Sequence, residues 1–202
     1  ESSSKGIQKK EPIIILYGEG GIGKSTWASK APAPYFMDVE GGSDNLDVTR
    51  SQKIDGWLQA NQILDALTAE KHAHKTLVID TLDALENLLF KHVIATDPKG
   101  APNMVQSHGG YGNGYKVAFE HWVAFQDKIR ALRDKGIGVI CLAHPLIYTY
   151  NDPMTPSGYD KIRIKLHEGS KESSARLWFD FADIVLYAKK DIRGVTDNDR
   201  AL

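Results

Sequence analysis

Eight residues near the amino terminus have the composition and spacing of a phosphate-binding loop. Gly18, Gly23, Lys24 and Ser25 occupy the fixed positions of the pattern G-x-x-x-x-G-K-[ST]. Glycines allow main-chain N–H groups to point toward an anion at the start of a helix, where the helix dipole favours negative charge. The Lys24 ammonium suits the β- and γ-phosphates of a nucleoside triphosphate, and the Ser25 hydroxyl is a natural Mg²⁺ ligand. The residues predicted to bind nucleotide are Gly18, Glu19, Gly20, Gly21, Ile22, Gly23, Lys24, Ser25 and Thr26.

A second oxygen ligand for Mg²⁺ is predicted at Asp80, which ends the apolar segment Leu77-Val78-Ile79. Parallel strands end at the same edge of a sheet, so this carboxylate is expected beside the phosphate loop. This is the Walker-B position, at which an acid holds magnesium directly or through water. The alternative is that Asp80 caps the helix predicted to follow, although Thr81 and Asp83 are also able to cap it.

Hydrolysis requires a group that orients or deprotonates water, and two acids follow a second apolar segment. Asp38 and Glu40 are two residues apart and therefore share a face of the predicted strand. Glu40 is closer to the end and precedes two glycines, so it is the predicted catalytic acid, acting with Lys24. The alternative is that both acids are solvated loop residues. His144, after another apolar segment, is either a γ-phosphate sensor or a solvent-facing residue at a strand end.

The pattern of apolar residues predicts the elements that position these side chains. Short apolar segments predict strands at 13–17, 35–39, 76–80, 139–143 and 184–187, the last as a core strand, and alternation predicts a half-buried strand at 161–166. Helices are predicted at 24–30, 57–70, 82–95, 115–135 and 173–181, and irregular segments at 97–114 and 145–159. Strands that alternate with helices predict an α/β three-layer sandwich with a mostly parallel central sheet.

Composition and charge exclude several classes of protein. With 25 basic and 26 acidic residues the formal net charge is −1, which excludes coating of nucleic acid through bulk positive charge but not a local basic surface. The apolar segments are too short to span a bilayer. The single cysteine, Cys141, excludes a disulfide framework and a Cys-rich zinc site. Residues 1–11 are predicted to form a flexible tail and residues 12–202 a single domain.

Other classes of protein with this loop lack support in the sequence. ParA-like ATPases carry an additional lysine early in the loop, where this chain has Glu19. The guanine-binding pattern N-K-x-D of GTPases does not occur. The arginines are scattered, unlike the arginine-rich lid of small-molecule kinases.

The arrangement resembles the RecA-like ATPases. In that family a D-x-E-G segment follows the phosphate-loop helix and supplies the catalytic glutamate; this chain has Asp38-Val39-Glu40-Gly41. The family's strand-end sensor, often glutamine, falls at His144, which is a departure from the pattern. More closely, the chain resembles the short phage-encoded RecA-core proteins implicated in single-strand annealing and recombination. The resemblance implies ATP and Mg²⁺ as cofactors and single-stranded DNA as a partner. The expected compartment is the cytoplasm, which is that of the host cell if the chain is phage-encoded.

RecA-like proteins place two DNA-binding loops after the third and fourth strands, where this chain has its two irregular segments. The resemblance therefore implies that Tyr111 and Tyr115 stack on bases. It also implies that Lys161, Arg163 and Lys165, which share one face of a strand, contact backbone phosphates. The alternatives are a disordered loop and a solvated strand edge protected by lysines.

The resemblance also implies a homo-oligomer, either a ring or a filament, in which ATP lies between protomers. Lys189 and Lys190 match the basic element that reaches the neighbour's γ-phosphate, and a single-strand binding protein is a further candidate partner. No membrane association is expected. The predicted function is a Mg²⁺-dependent ATPase that acts on single-stranded DNA in recombination or annealing. The alternatives are a nucleotide-gated assembly module with little hydrolysis, and an ATPase that acts on a protein or replication partner.

Overall fold

The computed structural model describes residues 6, 10–151, 154 and 158–191. Most of the predicted tail and residues 192–202 of the predicted domain therefore lie outside the described residues. The strands are β1 (Ile13–Gly18), β2 (Pro34–Asp38), β3 (Thr49–Arg50), β4 (Thr76–Asp80), β5 (Gly138–Ala143), β6 (Pro145–Tyr150), β7 (Tyr159–Ile164) and β8 (Ile184–Ala188). The helices are α1 (Lys24–Ala28), α2 (Trp57–Ala69), α3 (Leu82–Ala95), α4 (Asn113–Asp134) and α5 (Ser174–Phe181), with a 3₁₀ turn at Ser107–Gly109.

Within the described residues, six strands form one parallel sheet in the order β3-β2-β4-β5-β1-β8. The remaining two strands, β6 and β7, form a separate antiparallel hairpin. The predicted α/β class with a mostly parallel central sheet is confirmed. Because all six strands run the same way, β1, β2, β4 and β5 end at one edge of the sheet, and the chain leaves each of them there.

The two faces of the sheet are covered unequally. Helices α2 to α5 pack on one face and form the larger core, in which Trp57, Trp122 and Trp178 are buried as core residues. Burying a large apolar side chain of this kind contributes about 1.5–3 kcal/mol. Cys141 is buried in the same core, and burial raises the pKa of its thiol, which leaves it unreactive. The other face is covered by α1 and by the segment that contains Leu46 and Val48.

Two predictions about strands are wrong. The first half of the segment predicted to be irregular, 145–159, forms strand β6, because its β-branched and aromatic residues pair with β7. The segment 184–187 forms the edge strand β8, whose side chains from Ile184 to Tyr187 are between 37% and 42% exposed. An apolar edge strand and an apolar central strand have the same sequence pattern, so the sequence does not distinguish them.

Among the described residues, none of the helices combines the length and the apolar character that crossing a bilayer requires.

Candidate functional site

A cavity of about 310 Å³ opens at the carboxyl edge of the sheet. Its walls come from the loop between β1 and α1 and from the ends of β2, β4 and β5. The lining residues are Gly20, Gly21, Gly23, Lys24, Ser25, Thr26, Glu40, Asp80, Thr81 and His144. All five residues predicted to act in catalysis or to bind Mg²⁺ are therefore brought together around one cavity.

The loop between β1 and α1 requires glycine at both of its ends. Gly23 precedes α1 with φ 97°, a left-handed conformation that favours glycine. Gly18 lies beside β8, and a Cβ atom there would stand 2.5 Å from the carbonyl oxygen of Ala188. Between these two positions, a Cβ atom on Gly20 or Gly21 would meet no atom within 4 Å. The loop therefore presents bare main chain to the cavity, as the binding of phosphate requires.

Lys24 is 7% exposed and is held at the base of the loop. Its Nζ donates hydrogen bonds to the carbonyl oxygens of Gly18 and Glu19, at 2.7 and 3.0 Å. Burial lowers the pKa of the Lys24 ammonium, and the nearby carboxylates, Asp80 first, partly offset this effect. A buried ammonium gains from further negative charge, so this position fits a phosphate group.

Ser25 and Asp80 form a pair of oxygen donors on the wall of the cavity. The Ser25 hydroxyl donates to Oδ2 of Asp80 at 2.6 Å. Asp80 is 4% exposed, and burial raises the pKa of its carboxyl, against the opposing effect of the Ser25 hydrogen bond. A hydroxyl and a buried carboxylate are the oxygen ligands that Mg²⁺ prefers, and a cation would stabilise the ionised acid. The residues present therefore fit Mg²⁺ together with a polyphosphate.

The structure separates the two acids that follow β2. Asp38 is 3% exposed and accepts hydrogen bonds from the N–H groups of Gly41 and Gly42 and from the Ser43 hydroxyl. It stabilises the turn, so the alternative of a solvated loop acid is wrong for Asp38. Glu40 lines the cavity instead, and its Oε1 accepts the Thr81 hydroxyl at 2.9 Å.

His144 follows β5 and is held by Asp83, a residue that the sequence indicated only as a possible helix cap. The main-chain N–H of His144 donates to Oδ1 of Asp83 at 2.9 Å, and its ring Nδ1 lies 2.9 Å from Oδ2. Thr81 is the residue that caps α3, accepting the Ala84 N–H. The sequence does contain a signal that Asp83 lies near the cavity. Asp83 comes three residues after Asp80, so it belongs to the first turn of a helix that starts at the carboxyl edge of the sheet.

Glu40, Asp83 and His144 also have the spacing of metal ligands. One ligand atom from each lies within 4.8 Å of the other two, in the part of the chain that the structure describes. The ring Nδ1 of His144 is 3.5 Å from Oε1 of Glu40. The two hydrogen bonds that Asp83 accepts from His144 already explain why Asp83 and His144 lie close together.

The hairpin formed by β6 and β7 carries the basic residues that were predicted to contact DNA. Lys161 lies opposite Tyr148, and its Nζ is 3.7 Å from the centre of the Tyr150 ring. A hydrogen bond with Tyr159 raises the pKa of Lys161, so this residue remains positively charged. The guanidinium of Arg163 lies 4.3 Å from the centre of the Tyr148 ring. The tyrosines were missed because β6 was predicted to be irregular.

The other residues predicted to contact DNA lie in different environments. Lys165 is exposed, and Arg163 forms an ion pair with Glu168. Tyr111 is fully exposed in the loop before α4. Tyr115 belongs to α4, where one face of its ring stacks on His167 with the centroids 3.9 Å apart. Their contact with DNA stays a prediction.

Lys189 and Lys190 are exposed and directly follow β8. Because Ala188 pairs with Gly18, the two lysines leave the sheet beside the start of the phosphate loop. The predicted contact with a neighbouring protomer stays a prediction.

A comparison with known protein families agrees with the interpretation of this cavity as a phosphate-binding site. A family model described as "AAA domain" matches residues 10–200. The chain belongs to this AAA domain family. It is therefore placed among the P-loop ATPase domains, which agrees with the phosphate loop and the acid at the end of β4.

Two individual proteins are similar to the chain. The "SPbeta prophage-derived uncharacterized protein YorG" of Bacillus subtilis (strain 168) is 24% identical over 201 residues, which cover 98% of this chain and 55% of that protein. The chain thus spans about half the length of this relative. The crystal structure of the flagellar accessory protein FlaH from Methanocaldococcus jannaschii is 10% identical, with a TM-score of 0.33, over 80% of this chain and 83% of that one.

Proposed function

We propose that the protein is a Mg²⁺-dependent ATPase of the RecA-like type that acts on single-stranded DNA in recombination or strand annealing. The observation that carries the proposal is the meeting of Glu40, Lys24 and the Ser25–Asp80 pair around one cavity with a glycine loop. These groups supply a base, a phosphate-binding cation and a set of magnesium ligands.

Each residue has a distinct part in this proposal. The main chain of the loop and the Lys24 ammonium bind the phosphates, and Ser25 and Asp80 bind the metal. ATP supplies the phosphoanhydride bond, and Mg²⁺ reduces the charge on its phosphates. Glu40, oriented by the Thr81 hydroxyl, accepts the proton of the attacking water. His144, on the same wall, senses the γ-phosphate.

The proposed action on DNA is supported by the β6–β7 hairpin. Tyr148, Tyr150 and Tyr159 lie on the same face as Lys161 and Arg163, because cross-strand pairs project to the same side. Aromatic rings next to cations suit single-stranded nucleic acid, since the rings stack on bases while the cations contact phosphates. The hairpin begins one residue after His144, so it is directly connected to the cavity.

The test is the rate of ATP hydrolysis with and without single-stranded DNA over a series of salt concentrations. We expect stimulation by DNA that fades as salt rises, because phosphate contacts release counterions. Lys24→Ala should abolish turnover. Lys128→Ala, which removes only a surface ion pair with Asp65, is the matched control and should retain it. Unchanged turnover in Lys24→Ala would contradict the proposal.

A second candidate function is an ATPase that acts on a protein or replication partner. The observation that favours it is the exposed apolar edge of β8, because such an edge is suited to pairing with another chain. Turnover that does not respond to DNA, together with no retention of DNA at low salt, would favour this candidate. Oligomers that form with ATP in the absence of turnover would instead favour a nucleotide-gated assembly module.

A further inference from the structure

The start of α3 holds His144 through two hydrogen bonds to Asp83. One carboxylate oxygen accepts the main-chain N–H of His144, and the other lies 2.9 Å from ring Nδ1. Asp83 is 7% exposed, so water competes little for these bonds. Both the backbone and the ring of His144 are therefore fixed by one side chain.

This contact selects one nitrogen of the His144 ring. An ionised carboxylate only accepts hydrogen bonds, so Nδ1 must be the donor toward Asp83. Nε2 is then left as an acceptor in the cavity that His144 lines, so it reaches a phosphate oxygen through a water molecule that donates to both. Asp83 thus determines which ring nitrogen is available there.

The same helix also holds the far end of the β6–β7 hairpin. The carbonyl oxygen of His144 accepts the Lys165 N–H at 2.9 Å, which joins the two ends of the hairpin. The N–H of His167, just beyond β7, donates to the buried carboxyl of Glu86 at 2.8 Å. Asp83 and Glu86 are three residues apart and lie on the same side of α3. The helix therefore contacts the chain both before and after the hairpin.

We infer that Asp83 is a positioning residue: it fixes His144, the residue at the base of the β6–β7 hairpin, with Nε2 left as the acceptor on the cavity side. This role rests on the proposed function, because it makes the state of the hairpin depend on the γ-phosphate that His144 senses. A hairpin held in this way should behave differently with a triphosphate than with a diphosphate, and the difference should require Asp83.

The first test is Asp83→Asn, which conserves size but replaces one accepting oxygen with an NH₂ group. The NH₂ group donates, so Nδ1 of His144 becomes an acceptor and the ring proton moves to Nε2. ¹⁵N NMR of the nucleotide-free protein should show this change of tautomer. We expect kcat to fall about 10-fold or more, with nucleotide affinity changed less than about 3-fold.

The second test is hydrogen exchange in the hairpin, compared between a non-hydrolysable ATP analogue and ADP. We expect a difference in the wild-type protein that is lost in Asp83→Asn and in His144→Ala. The double variant should lose no more than either single variant, because both remove the same connection. Asp183→Asn is the matched control: its carboxylate accepts the N–H of Ile13 at the opposite edge of the sheet, so the difference should persist.

The outcomes separate this role from the proposed function. If the wild-type protein neither hydrolyses ATP nor shows a nucleotide-dependent difference in hydrogen exchange of the hairpin, the proposed function is overturned. If Asp83→Asn retains wild-type turnover, the His144 tautomer and the nucleotide-dependent hydrogen exchange of the hairpin, only the role of Asp83 is overturned. If Asp83→Asn does not fold, a hairpin difference that persists in His144→Ala overturns it. Zn²⁺ binding by the nucleotide-free protein that requires both His144 and Asp83 would also overturn it, since Asp83 would then be a metal ligand.

Discussion

The phosphate cavity and the β6–β7 hairpin present charged side chains in opposite ways. In the cavity Lys24 and Asp80 are buried, and each is hydrogen bonded to another part of the chain. On the hairpin Lys161 and Arg163 lie against tyrosine rings at the surface. Buried groups with fixed partners suit one small ligand of defined shape. Cations supported by rings suit a flexible polymer that offers phosphates and bases in succession. Under the proposed function, chemistry and polymer binding therefore occupy separate but connected regions.

The largest expected effect tests the cavity side of this comparison. Glu40→Gln should lower kcat by about 10²–10⁴-fold, because the amide cannot accept the proton of the attacking water. Nucleotide binding, measured by fluorescence titration, should persist, since the loop and Lys24 are unchanged. Glu70→Gln, a change at an exposed acid after α2, is the control. Wild-type turnover in Glu40→Gln would remove its catalytic role.

The next effect tests Glu86, whose carboxyl accepts the N–H of His167 just beyond the hairpin and so helps to connect the two regions. Burial raises the pKa of Glu86 from 4.5 to about 7. Between these values the folded protein retains a proton that the unfolded chain has lost, so stability should decrease as pH rises from about 5 to 8. The loss should reach at most about 3 kcal/mol, and Glu86→Gln should flatten it. Urea unfolding at several pH values measures the free energy of unfolding of both proteins. The same dependence on pH in both would contradict the assignment of the raised pKa to Glu86.

A smaller effect tests the hairpin side. Tyr150→Ala should weaken binding of single-stranded DNA by about 1–3 kcal/mol through the loss of base stacking. Lys161→Ala should reduce the slope of log affinity against log salt by about 1, because one phosphate contact is lost. Both variants should retain basal turnover in the absence of DNA. Fluorescence anisotropy with a labelled oligonucleotide measures both quantities, and wild-type values for both variants would exclude the hairpin as the DNA contact.

The smallest effect sharpens the comparison with the loop before α4. Tyr111 is fully exposed, so Tyr111→Ala should change the free energy of unfolding by less than about 0.5 kcal/mol. Its effect on DNA affinity should be smaller than that of Tyr150→Ala, since no cation is seen against the Tyr111 ring among the described residues. A larger effect on affinity would move the main DNA contact from the hairpin to this loop.

The sequence predicts the cavity better than its surroundings. The phosphate loop is a local pattern, and Asp80 and Glu40 follow apolar segments whose ends meet in any parallel sheet, so spacing alone locates them. Asp83 and His144 are 61 residues apart, and no local pattern reports that they touch. Strand β6 was missed because Pro145 at its start and the polar residues that follow it outweighed its β-branched and aromatic residues. The exposure of β8 depends on the order of the strands, which the apolar pattern does not encode.

The close approach of Gly18 to Ala188 has a consequence beyond the shape of the loop. Because Gly18 has no Cβ atom, β8 is able to lie tightly against β1 at the point where both strands end. The distance from Lys189 to the first turn of the loop is thereby fixed by contact between two backbones rather than by a flexible linker. Any larger residue at position 18 would push the two lysines outward, and the positive charge at this corner would move away from the phosphate loop.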